Sequence, residues 1–109
     1  MNLLMEMQQI TKEAKDKQYE RYLEKCLSKY ESRIRSHASC GKSSLHVKDF
    51  NRKIDRVWSD LNQEGITVYG QLGNKDGSYS YSKWNGKGSF HNWVDKNDGY
   101  SWQVKLSWE

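Results

Sequence analysis

The sequence predicts an α+β fold, with a long N-terminal helix, a second amphipathic helix, and an antiparallel-rich sheet of about four to five strands covered on one face by the helices. Three observations predict it. Nothing from Asn2 to about Ala38 breaks a helix. Phe50, Ile54, Val57, Trp58 and Leu61 fall on one helical face. Tyr100, Trp102, Val104, Leu106 and Trp108 alternate with Ser101, Gln103, Lys105 and Ser107, which is the period of a strand with one buried and one wet face.

The first helix opens with Leu3, Met7, Ile10 and Ala14 at heptad-like steps. The apolar pattern lapses around Lys15 to Gln18 and resumes with Tyr19, Tyr22, Leu23, Cys26, Leu27, Tyr30 and Ile34. As one piece this helix is roughly 55 Å long, more than the width of a small domain. It therefore bends near Lys15 or sends its first turns out to a partner. Gly41 is placed to end it, because glycine takes the left-handed conformation of a C-terminal cap at little cost. Leu45 and Val47 then alternate with polar neighbours as a short strand.

Asp49 is suited to cap the second helix, and Gly65 to end it. Ile66, Val68, Gly70 and Leu72 point one way along the next strand, and Thr67, Tyr69 and Gln71 the other. Beyond Leu72, Asn74 to Gly77, Asn85-Gly86 and Asn97 to Gly99 carry the residues that hairpin turns need. Short aromatic runs lie between them, Tyr79 with Tyr81 and then Phe90 to Val94. One domain over 1–109 is expected, in three parts: a long helix at 1–38, a strand–helix–strand cassette at 42–72, and aromatic-rich hairpins at 73–109.

Hydrophobic residues make up only 35%, but aromatics reach 13%, with five Trp and seven Tyr. Rings bury much area each, so they can supply the core that aliphatics otherwise provide. The net charge of +4 permits contact with nucleic acid or an acidic protein without requiring it. Two cysteines do not form a disulfide framework, so free thiols in a reducing, cytoplasmic setting are expected. The run from Met1 to Met5 is too short for a signal peptide, and no apolar span is long enough to cross a membrane.

No catalytic signature stands out. Cys40-Gly41-Lys42-Ser43 mimics the end of a phosphate-binding loop, but Ser36 stands where that motif needs glycine. It also follows a helix and precedes a strand, the reverse of the order that aims amides at a phosphate. Among Cys26, His37, Cys40 and His46, the pair His37 and Cys40 has the close spacing of zinc ligands, but Cys26 lies eleven residues from His37 on the helix, and a Cys–His nucleophile built from them has no third group to orient the base. No metal or cofactor is expected.

Two constellations remain. Lys17, Arg21, Lys25, Lys29 and Arg33 recur every fourth residue as a basic stripe about 24 Å long, suited to a phosphate backbone. Asp16, Glu20 and Glu24 run beside it, so a solvated charged face competes with that reading. Tyr79, Tyr81, Lys83, Trp84, Lys87 and Trp93 combine rings with lysines, the composition of protein interfaces and of sheets that stack single-stranded bases. Burial of half of these rings in the core competes there.

Ala38 and Gly41, the strand with Leu45 and Val47, a helix ending in Leu61, Gly65-Ile66-Thr67-Val68, and Val104-Lys105-Leu106-Ser107-Trp108 together resemble a pattern in small uncharacterised proteins of phages and prophages of Gram-positive bacteria. That pattern commonly has Tyr where Ile66 stands here, and the long first helix and the insert from Gly73 to Gly99 are additions to it. Trp84-Asn85-Gly86-Lys87-Gly88-Ser89-Phe90 is also similar to a turn in a phage family with anti-CRISPR and anti-Thoeris members, where it lies near the N-terminus. The resemblance carries no active site. It implies a mobile-element accessory protein that binds host proteins.

The expectation is thus a non-enzymatic phage-derived protein that binds and inhibits a bacterial host protein of the CRISPR or other antiphage machinery. Contact would run through Tyr79, Tyr81, Lys83, Trp84, Lys87 and Trp93, with Leu3, Met7 and Ile10 packing in a homodimer or on the target. The alternative is a small nucleic-acid-binding protein using the stripe from Lys17 to Arg33 and the aromatic hairpins. A weaker alternative is a sponge that sequesters a nucleotide signal in an aromatic pocket.

Overall fold

Leu3–Ser39 form one continuous helix, α1, of 37 residues. The computed structural model describes residues 2–48 and 51–109, the side chains of 100–102 excepted. After α1 come β1 (Ser44–Val47), a 3-10 turn (Arg52–Ile54), α2 (Asp55–Gln63), β2 (Thr67–Gly73), β3 (Tyr79–Lys83), α3 (Phe90–Lys96) and β4 (Tyr100–Ser107). The strands form one antiparallel sheet in the order β1-β4-β2-β3, so the fold is α+β. The expected cap Asp49 and the expected core residue Phe50 lie outside the described residues, as do the side chains of Tyr100, Ser101 and Trp102.

α1 does not bend into the domain. From Asn2 to Tyr22 every residue is exposed, and only Leu23 and Tyr30 of this helix are buried. The longest dimension of the molecule is 59 Å. Its radius of gyration of 17.3 Å exceeds the roughly 13 Å of a compact domain of this size, because the first turns project. Docking begins where the ring pattern resumes. The Tyr19 hydroxyl donates to the Lys53 carbonyl at 2.6 Å, Arg56 meets Glu20 at 2.8 Å, and Asn51 Nδ2 donates to the Tyr22 hydroxyl at 2.8 Å.

α1, α2 and α3 end in the same way, with a left-handed residue and two backbone bonds that satisfy the last carbonyls. In α1 the left-handed residue is Gly41, with Gly41 N–H on Ala38 O and Lys42 N–H on His37 O. In α2 it is Gly65, with Gly65 N–H on Asn62 O and Ile66 N–H on Leu61 O. In α3 it is Asp98, at φ 53°, with Asp98 N–H on Asp95 O and Gly99 N–H on Val94 O. The first two stops follow directly from the sequence. The third corrects the reading of Asn97 to Gly99 as a hairpin turn.

The same correction applies to Phe90–Lys96, which is a helix between β3 and β4. Phe90, Trp93 and Val94 are spaced at i, i+3 and i+4, and the first and last are fully buried. The Ser89 hydroxyl accepts from Asn92 N–H, and the Asp55 carboxylate of α2 accepts from His91 N–H at 2.8 Å, so the start of α3 is capped from two elements. Residues 73–109 therefore hold one hairpin, β2–β3, then a helix and a strand. In that hairpin Gly77 sits at φ 85°, and Asp76 accepts from both the Ser78 N–H and hydroxyl, which holds its carboxyl below the ordinary range.

β4 lies between β1 and β2, and Leu106 pairs with Leu45 on one side and Val68 on the other. Val47, Val68, Val104 and Leu106 face the helices and are buried, beneath Ile54, Val57, Trp58 and Leu61 of the second helical segment. The core between them is largely aromatic: Tyr30 lies 5.1 Å from Trp58, Trp58 6.4 Å from Phe90, and Phe90 5.6 Å from Trp84. α3 reaches β2 because Gly70 has no side chain. A Cβ there would stand 2.9 Å from Trp93 Cζ3 and 2.9 Å from Val94 Cγ2.

Gly70→Ala is therefore expected to push α3 off the sheet and destabilise the domain by about 1–3 kcal/mol, measured by urea unfolding. A wild-type midpoint would show that α3 gives way freely. Arg52 forms a two-pronged pair with Asp95 at 2.5 and 3.0 Å, tying the 3-10 turn to α3, and its hydrogen bond lowers the Asp95 carboxyl. A lowered folded value means stability that is complete above the ordinary carboxylate pKa of about 3.9 and is lost as pH falls through the folded value. The stability gap between wild type and Asp95→Asn should thus be present at neutral pH and close on acidification. Both side chains are solvent-exposed, so the gap is small.

Candidate interaction surfaces

The residues expected to form one partner site divide between the two faces of the sheet. Tyr79, Tyr81 and Lys83 alternate outward on β3, away from the helices. Trp84 comes next and turns inward: it is 1% exposed, and its N–H donates to Val68 O at 2.9 Å, extending the ladder. Its ring packs edge-on against Phe90, so it is a core residue and is removed from the candidate contacts. Trp93 is half-buried against the same core, 5.9 Å from Phe90. Lys87 is exposed in the turn that follows, with its N–H on Asn85 Oδ1 at 2.9 Å.

Three surfaces remain. The first is the arm, where Leu3, Leu4, Met5, Met7 and Ile10 are 44–68% exposed. Asn2 caps this end, its Oδ1 accepting from Leu4 N–H at 2.8 Å. A helix standing alone at this length is marginal in water, so the arm depends on propagation from the docked half of α1.

The second is the basic stripe. Lys17, Arg21, Lys25 and Lys29 are exposed along α1, and Arg33 is half-buried. Lys29 and Arg33 lie over the Tyr30 ring at 5.4 and 5.9 Å, so the end of the stripe also roofs the core. Glu20, beside the stripe, is paired to Arg56.

The third is the outer face of the sheet. Strand pairing sets His46, Lys105, Tyr69 and Lys83 in one row across all four strands. Gln71 and Tyr81 pair in the adjoining row. Lys105 Nζ lies 5.3 Å from the Tyr69 ring and 6.0 Å from the Tyr81 ring. Rings from opposite edges meet there, His46 and Tyr81 at 5.6 Å. Gln103 Oε1 accepts from the Tyr81 hydroxyl at 3.0 Å and from Gln71 Nε2 at 3.4 Å, which fixes the ring. Burial raises the Tyr81 phenol above its ordinary value. The alternation in each strand was readable, but the order that places Lys105 between His46 and Tyr69 was not.

The segment Cys40 to Ser43 is the cap and exit of α1. Gly41 and Lys42 N–H groups bond the last carbonyls of the helix rather than facing outward. Cys26 and Cys40 are free thiols. His37 Nδ1 is 2.9 Å from Arg33 O. Among the described residues no three His, Cys, Asp or Glu side chains gather closely enough to hold a metal ion, and no helix is long and apolar enough to cross a membrane. No protein-family model matches the chain, and neither curated proteins nor solved structures give a significant match.

Trp84→Ala is expected to cost about 3–5 kcal/mol of stability, through lost burial and the cavity left behind. Lys87→Ala, three residues on and exposed, should stay within about 0.5 kcal/mol. Thermal unfolding of the pair separates them. Equal stability of both variants would return Trp84 to the surface.

Proposed function

We propose that this chain is a phage-derived, non-enzymatic protein that binds and inhibits a bacterial host protein of the CRISPR or other antiphage machinery, in the host cytoplasm. The resemblance of the helix–strand–helix–strand cassette and of the closing Ser-Trp strand to phage proteins supports the origin. One observation supports the mode of action: an arm that leaves the domain with Leu3, Leu4, Met5, Met7 and Ile10 in solvent. Exposed large apolar residues in a row mark a surface that is covered in the working state. Among the described residues nothing covers them, because docking of α1 starts only at Tyr19. The arm is the part that seats on the target or on a second copy of the chain.

Tyr79 at 52% exposure, Lys83 and Lys87 remain as contacts at the far side of the molecule's sequence. Trp84 and Trp93 act from below by holding that region in place.

The test replaces Leu3, Met7 and Ile10 by Ser. Thermal stability should be unchanged, because these side chains bury nothing in the monomer. The mass by light scattering, or capture of a partner from lysate of a phage-sensitive host, should be lost. Protection of phage from host defence should fall with it. A triple variant that assembles, captures and protects as wild type does would remove the arm from the mechanism.

A further inference from the structure

We infer that the outer face of the sheet, with the basic groove along its β1 edge, binds single-stranded nucleic acid. This goes beyond the protein-binding arm and shares none of its residues, Lys83 alone recurring from the other proposed contacts, so the arm and the sheet face can fail separately. It also moves the nucleic-acid contact away from the middle of α1.

The charge distribution carries most of the weight. The chain holds 14 Asp and Glu, yet none lies in β1, β2, β3 or β4. The outer row carries Lys105, Lys83 and His46 with no carboxylate between them. A sheet face so free of negative charge beside two ammonium groups is complementary to a polyanion.

The groove extends that field. It has a volume of about 500 Å³ and is lined by Arg33, His37, Lys42, Ser43, Ser44 and His46, among others. His46 belongs to both the groove and the sheet row, so the two are one continuous surface. Arg33 is the last member of the α1 stripe. The stripe therefore ends where the groove begins, and a phosphate backbone could run from one onto the other.

The rings decide between single and double strands. Tyr69 and Tyr81 stand half-buried on the sheet face beneath Lys105, and His46 meets Tyr81 edge-on. Lysine over such a surface ring is held more weakly than a stacked base, so an unpaired base can take the open side of the ring while the ammonium swings to its phosphate. A duplex offers no free base faces for this, and among the described residues no helix projects from this side of the sheet to enter a groove. Gln71 and Gln103 lie beside the rings and carry the donors and acceptors that base edges use. An acidic peptide would satisfy the lysines but leave the rings idle.

The test is fluorescence anisotropy of the full chain with a labelled mixed-sequence oligonucleotide of about 12 nucleotides, at about 50–200 mM salt. Saturable binding is expected, with a log–log salt slope of about −3, from Arg33, Lys42, Lys83 and Lys105 at about 0.7 each on a single strand. Lys83→Gln with Lys105→Gln should halve the slope. Tyr69→Ser with Tyr81→Ser should weaken binding at least about tenfold with the slope unchanged, because stacking releases no counterions. The lysine pair leaves every ring in place, so the test survives if the tyrosine pair fails to fold. Absence of binding at the lowest salt would overturn the proposal. So would equal affinity for the duplex or for polyglutamate, or loss of binding only on replacing Lys17, Arg21 and Lys25.

Discussion

Four rings hold this domain together. Tyr30 of α1, Trp58 of α2, Phe90 of α3 and Trp84 after β3 pack in a chain of tilted and edge-to-face contacts with centroid spacings of 5.1, 6.4 and 5.6 Å. Each comes from a different element, so each helix is fastened to the sheet through its neighbour's ring. With 35% hydrophobic residues there are few aliphatics to do this work, and a buried ring removes about 150–250 Å² from water. The rest of the architecture follows from accommodating that cluster. Gly70 lets α3 approach β2, and Val104 and Leu106 of the central strand form the floor.

A core concentrated at one spot leaves long stretches of chain outside it. α1 contributes two buried side chains from 37 residues, so most of its length does other work. Its N-terminal half carries apolar residues into solvent, its middle carries alternating charge, and only its C-terminal half roofs the rings. The sheet is covered on one face alone, and its other face gathers lysine, tyrosine, histidine and glutamine. Two unlike surfaces result, an apolar helical arm and a cationic aromatic sheet, and they suit unlike partners. On the readings proposed above, the first seats on another helix or an apolar groove, and the second holds a flexible anion with flat bases.

The helix ends show how local chemistry and function separate in this chain. Cys40-Gly41-Lys42-Ser43 has the composition of a phosphate loop, but its amides satisfy α1's own carbonyls. The polar side chains nearby do not depend on those amides. Arg33, Lys42 and His46 come together because β1 folds back along α1, which spacing along the chain does not express.

What the sequence alone determined was set by near neighbours. Gly41 and Gly65 stop their helices because left-handed backbone is a property of one residue and the turn before it. The face made by Ile54, Val57, Trp58 and Leu61 is a matter of spacing within a few turns, and so is the alternation of Gln103, Val104, Lys105 and Leu106. Where elements meet at a distance, only the tertiary structure decided. Phe90 to Val94 has ring content suited to a strand, and it became a helix because Ser89 and Asp55 cap it and Gly70 receives it. Trp84 went inward because Lys83 before it faces out and Phe90 waits across the core, which the lysine-rich context around it concealed. The surface of His46, Tyr69, Tyr81 and Lys105 exists because β4 inserts between β1 and β2. Strand order is settled by which strand buries the most apolar surface in the middle, a competition among all the strands at once that no window of sequence contains.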